Sequence, residues 1–193
     1  MLNHTPEQIL KDVFGYDRFR PGQTDVVDAL LADQHTLTVM PTGSGKSLCF
    51  QIPALLKGGL TIVVSPLVAL MEDQVAALKL AGVAADTINS SRERGDNVTA
   101  WKRAADGETR LLYLAPERLM TGRMLEALSQ LPVKLIAIDE AHCLSRWGPS
   151  FRPDYEALIR LKELFPNVPI VALTATADKS TQEDIVTKLF GGQ

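Results

Sequence analysis

The 193-residue sequence predicts one α/β domain, a mostly parallel sheet with helices on both faces. Three observations predict it. Short β-branched or apolar runs alternate with longer amphipathic stretches, the pattern of strands joined by crossover helices. The apolar runs, such as 60–64 and 135–138, have the length of strands buried on both faces and not of membrane spans. Finally, 46% hydrophobic and 22% charged residues are ordinary globular composition for a chain of single-domain length.

The elements follow in order. Thr5-Pro6-Glu7-Gln8 opens a helix, with Thr5 as N-cap, Pro6 in the first turn and Gln8 closing a capping box. Ile9, Leu10, Val13 and Phe14 form its apolar face, and Gly15 ends it. Pro21 begins a second helix carrying Val26, Val27, Leu30 and Leu31. Strands are predicted over 36–39, 61–64, 110–114, 133–138 and 168–173, with a weak one near Thr87 and Ile88. Helices are predicted over 47–57, 66–81, 121–131, 154–165 and 179–190, the second presenting Leu67, Leu70, Met71, Val75 and Leu78 on one face.

Several function classes are excluded at this stage. The first fourteen residues carry Asn3, His4, Glu7, Gln8, Lys11 and Asp12 where a signal peptide needs an apolar core, so the chain reads as cytosolic, with no membrane partner. Two distant cysteines, Cys49 and Cys143, fit neither a disulfide framework nor a zinc site. A net charge of −3 denies the chain a globally basic footprint, so any nucleic-acid contact must be local.

In parallel α/β sheets the ligand crevice lies beyond the carboxyl ends of the strands. After the strand ending at Val39 comes Met40-Pro41-Thr42-Gly43-Ser44-Gly45-Lys46-Ser47 and then a helix, which resembles a Walker A phosphate loop. Backbone N–H groups of Thr42, Gly43, Ser44 and Gly45 would turn toward phosphate oxygens at a helix N-terminus. Lys46 would neutralise β and γ phosphates, and Ser47 would hold Mg²⁺. Met40 stands where the strict pattern has glycine. Asp139-Glu140-Ala141-His142, at the end of another buried strand, resembles a Walker B motif of the DEAH type. Asp139 would reach Mg²⁺, and Glu140 would position and deprotonate water. His142 by itself reads as structural. Thr174 and Thr176 follow the last strand, either as a relay of nucleotide state or as a cap for the next helix.

Ordered motifs then make the resemblance specific. "FGYDRFRPGQ" (14–23), "SPLVALMEDQV" (65–75), "INSS" (88–91), "YLAPERL" (113–119), "CLSRWGPSFRPDY" (143–155) and "ALTATA" (172–177) are similar to blocks of the RecQ family of superfamily 2 DNA helicases. The resemblance covers nearly the whole chain. It implies a single RecA-like P-loop NTPase domain over residues 1–193, the first lobe of the motor, with residues 1–35 a helical base-recognition segment. ATP and Mg²⁺ are the implied cofactors, and single-stranded and duplex DNA and a second RecA-like lobe the implied partners.

By the same resemblance, Tyr16 and Arg20 flank adenine and Gln23 bonds its edge. Phe14 and Phe19 read as packing residues. Trp147, Phe151 and Tyr155 recur every four residues, but Gly148, Pro149 and Pro153 disfavour a regular helix. Aromatics with Arg146 and Arg152 on a non-helical stretch suit single-stranded DNA. In the family this loop links DNA binding to hydrolysis, so the resemblance carries a coupling role onto Trp147, Phe151 and Arg152, Arg152 alternatively being a buried structural partner, and His142, Arg146, Thr174 and Thr176 complete the expected DNA-binding or coupling set. Pro149-Ser150 replace the commoner His-Asp and Arg146 a frequent Gln, so no sensor role is carried onto Pro149 or Ser150.

The resemblance implies a 3′ to 5′ helicase acting in DNA repair and recombination, in the bacterial nucleoid or a nucleus. The second lobe with its arginine finger, the zinc region and the winged helix have no counterpart in these residues, so this lobe by itself is expected to turn over little ATP. An RNA helicase lobe of the same superfamily, or a non-catalytic ATP-dependent DNA-binding module, are the alternatives.

Overall fold

A computed structural model describes residues 4–41, 45–119, 122–145, 152–175 and 178–191. Six parallel strands form one sheet among these residues: β1 (Thr36–Val39), β2 (Leu60–Val64), β3 (Ala85–Ile88), β4 (Leu111–Leu114), β5 (Val133–Ile138) and β6 (Ile170–Thr174). Their order is β1-β6-β5-β2-β4-β3, so β1 and β3 stand at the two edges and the later strands β4, β5 and β6 fill the places between the early ones. All six stand where the sequence puts them, including the weak one, which is the edge strand β3.

Alternation along each strand divides the core in two. Ile62, Val64, Leu112, Leu114, Ile136, Ile138, Ile170 and Ala172 face one layer of helices. Val63, Leu111, Tyr113, Leu135, Ala137, Val171 and Leu173 face the other. Both faces are apolar because both are covered, which is why these strands read as continuous hydrophobic runs.

On the second face lie α1 (Pro6–Asp12), α2 (Gln23–Leu31), α3 (Leu48–Lys57) and α4 (Val68–Leu80). The capping box that opens α1 is present: the Thr5 hydroxyl accepts from the Gln8 amide at 3.2 Å, and the Gln8 side chain accepts from the Thr5 amide at 2.8 Å. Helix α2 starts at Gln23 and not at Pro21, because Gly22 turns the chain in a left-handed conformation with φ of 88°.

The remaining helices are α5 (Arg94–Ala105), α6 (Pro116–Leu119), α7 (Gly122–Ser129), α8 (Leu161–Leu164) and α9 (Lys179–Phe190). Neither α5 nor the single turn α6 is foreseen from sequence. Helix α5 buries only Asn97, Ala100 and Ala104, a stripe with little apolar periodicity to detect. It is anchored instead through Arg103, whose Nε lies 2.9 Å from the Asp86 carboxylate on edge strand β3. The helix expected over 154–165 is a 3₁₀ helix over Pro153–Arg160 followed by the short α8. Pro153 at its start lacks an amide donor, and a tighter helix follows. No helix among the described residues is long and apolar enough to cross a membrane.

Candidate active site

The strands end almost flush. Val39 lies beside Thr174, Val64 beside both Ile138 and Leu114, and Ile88 beside Leu114. The loops after them therefore open on one edge, and β6 separates the phosphate-loop strand β1 from the DEAH strand β5.

A cleft of about 500 Å³ opens there, lined by Lys46, Ser47, Asp139 and Glu140, with Tyr16 and Arg20 also on its wall. Two motifs more than ninety residues apart in sequence thus meet. Lys46 Nζ is 3.8 Å from Asp139 Oδ1, a loose ion pair that leaves the ammonium free to move onto an anion. Burial raises the Asp139 pKa, and Lys46 opposes that shift. The Asp139 amide donates to the Val64 carbonyl at 2.8 Å, fixing the carboxylate to the end of the neighbouring strand.

Glu140 adopts a left-handed backbone with φ of 53° and ψ of 42°. For a residue with a Cβ this conformation costs about 1–2 kcal/mol, so its surroundings must impose it. The Glu140 amide donates to Asp139 Oδ1 at 2.9 Å, and its carbonyl accepts from the Cys143 amide at 3.0 Å. The Asp139 carbonyl in turn accepts from the Tyr155 hydroxyl at 2.9 Å.

Tyr16 is half exposed at 50%, and Arg20 is exposed, leaving both side chains at the cleft wall. Phe14 and Phe19 pack against the core, as expected. Gln23 is buried, and its amide is engaged by protein: Oε1 accepts from the Arg20 amide at 2.7 Å, and Nε2 donates to the Gly45 carbonyl at 2.9 Å. It ties the segment before α2 to the loop that follows β1. Gly45, with φ of 77°, admits this contact because a Cβ there would stand 2.6 Å from Gln23 Nε2.

Met40 has a physical reason for replacing glycine. It is buried, its Sδ lies 3.9 Å from Cys49 Sγ, and its Cε would stand 3.3 Å from a Cβ at Gly22. It fills the space beneath the turn before α2. Cys49 and Cys143 are both buried and in no disulfide, and burial pushes the Cys49 thiol up to about 11, as suits an inert packing residue.

His142 joins two strand ends. Its Nδ1 lies 2.7 Å from the Thr174 hydroxyl and its Nε2 3.2 Å from Glu140 Oε2. The helix-cap role weighed for Thr174 belongs to Asp178, whose carboxylate accepts from the Thr181 amide at 2.8 Å. Arg152 fastens its segment through the backbone, its amide donating to the Cys143 carbonyl at 2.9 Å. Thr42, Gly43, Ser44, Arg146, Trp147, Phe151 and Thr176, like Pro149 and Ser150, lie outside the described residues.

Other cleft residues escape sequence reasoning. Leu67, the N-cap of α4, and Leu70 and Gln74 on that helix line the cleft, with Phe50 and Leu173. Leu67 and Leu70 are 46% and 38% exposed, whereas Met71, Val75 and Leu78 form the buried face. The leucines fitted the helical apolar period, so their sequence signal was that of core residues.

Fold and cleft together define a RecA-like ATP-binding domain. The chain belongs to the DEAD/DEAH box helicase family, which matches residues 20–185. It is 50% identical over 185 residues to the ATP-dependent DNA helicase RecQ of Haemophilus influenzae, covering 96% of this chain and 30% of that protein. It is 44% identical over 188 residues to RecQ of Bacillus subtilis, covering 96% of this chain and 32% of the relative. The chain thus spans about a third of the length of these relatives. Among solved structures, the Hef helicase domain of Pyrococcus furiosus aligns with a TM-score of 0.70 at 20% identity, over 93% of this chain and 37% of that one. The DUF1998 helicase MrfA bound to DNA and AMPPNP aligns with a TM-score of 0.74 at 18% identity, over 98% and 28%. At such identities these two likenesses speak for the fold.

Proposed function

We propose that this chain is the ATP-binding lobe of a RecQ-type 3′ to 5′ DNA helicase, in which Mg-ATP hydrolysis drives translocation on single-stranded DNA and duplex separation during repair and recombination. The observation that carries the reading is the convergence of Lys46, Ser47, Asp139 and Glu140 on one cleft whose wall includes the exposed Tyr16 and Arg20. Similarity to RecQ relatives across nearly the whole chain supports DNA as the substrate, and a DNA substrate goes with action at the bacterial nucleoid or in a nucleus.

The chemistry follows from the side chains. Ser47 and Asp139 share the cleft, a hydroxyl and a buried carboxylate of the hard-oxygen type that Mg²⁺ takes together with phosphate and water oxygens. When bound, the ion would neutralise phosphate charge. Lys46 exchanges its loose contact with Asp139 for phosphate oxygens. Tyr16 and Arg20 stack on the base. Glu140 orients a water toward the γ phosphorus and takes its proton as the bond to ADP breaks. A second lobe supplies the arginine finger, typically worth about 10³ to 10⁵ in rate.

Calorimetry of ATP and GTP binding to this chain with Mg²⁺, then turnover with single-stranded DNA or RNA in the full-length protein, tests the reading. Adenine-selective binding with DNA-stimulated turnover is expected. Equal stimulation by RNA, or equal ATP and GTP affinity, would overturn it.

A further inference from the structure

We infer that Tyr155 is a positioning residue for hydrolysis, holding the Asp139–Glu140 peptide in the orientation that keeps Glu140 at the cleft. The inference rests on the reading of Glu140 as the residue that orients water. Both polar atoms of that single peptide plane are gripped by side chains: its oxygen accepts from the Tyr155 hydroxyl at 2.9 Å, and its N–H donates to Asp139 Oδ1 at 2.9 Å. A flip of this plane is the simplest route by which Glu140 would leave its left-handed conformation, and a flip breaks both bonds.

The tyrosine is built for this contact. Its side chain is fully buried, at 0% exposure, within the core layer that also holds Ile138, Ala141 and Leu144. Phenylalanine would fill such a core position equally well, so packing gives no reason for the hydroxyl. The carbonyl it serves follows the last paired residue of β5, Ile138, so the donor comes from a side chain where the ladder stops.

Tyr155 also occupies a transmitting position. Its amide donates to the Arg152 carbonyl at 3.0 Å, and the Arg152 amide to the Cys143 carbonyl at 2.9 Å, so residues 152–155 are laced to the turn that follows Glu140. In sequence, Tyr155 closes the aromatic-bearing stretch 143–155. A displacement of residues 152–155 reaches the Asp139–Glu140 peptide through the Tyr155 hydroxyl.

The experiment is Tyr155→Phe in the full-length protein, with Glu140→Gln made in parallel. For Tyr155→Phe, kcat of single-strand-stimulated ATP hydrolysis is expected to fall about tenfold or more. KM for ATP and the affinity for a fluorescent ATP analogue should stay within about twofold, with the melting temperature little changed. A kcat within about twofold of the parent overturns the inference, and so does a loss of kcat that only follows a collapse in melting temperature and nucleotide affinity. If Glu140→Gln itself turns over normally, the reading of Glu140 has failed. If it stops turnover while Tyr155→Phe does not, the role of Tyr155 alone is refuted.

Discussion

The imidazole Nδ1 of His142 lies 2.7 Å from the hydroxyl oxygen of Thr174, joining the end of β5 to the end of β6. Since Nε2 of the same ring is 3.2 Å from Glu140, a change at Glu140 has a two-bond path to the segment after β6. Thr174 is fully buried, so Thr174→Val keeps the shape and removes the hydroxyl. The expected outcome in the full-length protein is unchanged ATP affinity with about a tenfold loss of DNA-stimulated turnover, a factor set by one hydrogen bond. Steady-state hydrolysis with and without single-stranded DNA measures it, and full stimulation in the variant would disconnect the pair from coupling.

Lys46→Ala removes the ammonium that stands 3.8 Å from Asp139 in the cleft. Tight ATP binding should be abolished, and the Asp139 pKa should rise further because the largest of the influences opposing its burial is gone. Calorimetry with Mg-ATP checks the first effect. Parent-like affinity would mean that the cleft does not hold phosphate.

Gly45→Ala should destabilise the lobe by about 1–2 kcal/mol from the left-handed backbone alone. It should also displace Gln23, whose Nε2 would stand 2.6 Å from the new Cβ. Thermal unfolding together with the ATP-to-GTP affinity ratio tests this, and an unchanged melting temperature would contradict the strain argument.

Stability should fall as pH drops through and below about 6.5, and His35 is one cause. Its Nδ1 accepts from the Ile170 amide at 3.0 Å, and its ring stacks on Phe190 at a centroid distance of 5.1 Å, so the fold needs the neutral ring. Burial lowers its pKa from the ordinary 6.5. The unfolded chain therefore binds a proton before the folded chain does, and stability present above pH 6.5 is lost as pH falls through the lower folded value. Unfolding midpoints measured from pH 7.5 to 5 should show a shallower slope for His35→Gln than for the parent.

The strands were legible because burial on both faces writes an apolar run into the sequence, and β3 was readable even as four residues at a sheet edge. Helix α5 was not, since its attachment is a charge pair from Arg103 to Asp86 and not an apolar stripe. In the cleft, the spacing of Lys46, Ser47, Asp139 and Glu140 carries local chemistry and so survives in one dimension. The partnership of Gln23 with Gly45, separated by 22 residues, leaves no such mark. The same is true of the Tyr155 bond to Asp139, which depends on how a 3₁₀ helix docks beneath a strand end. Leu67 and Leu70 show the opposite failure: a helical period signals apolar side chains without telling a core from a cleft.

The place of β1 at the end of the strand order has a mechanical meaning. Among the described residues the strand that leads to Lys46 has a ladder partner on one side only, β6, while the DEAH strand β5 is clamped between β6 and β2. Sub-global opening that frees an outer strand costs less than opening a central one. Amide hydrogens of β1 should accordingly exchange faster than those of β5. Among the described residues the sheet is thus held more firmly at the strand that carries Asp139 and Glu140 than at the strand that leads to Lys46, so the two sides of the cleft differ in rigidity.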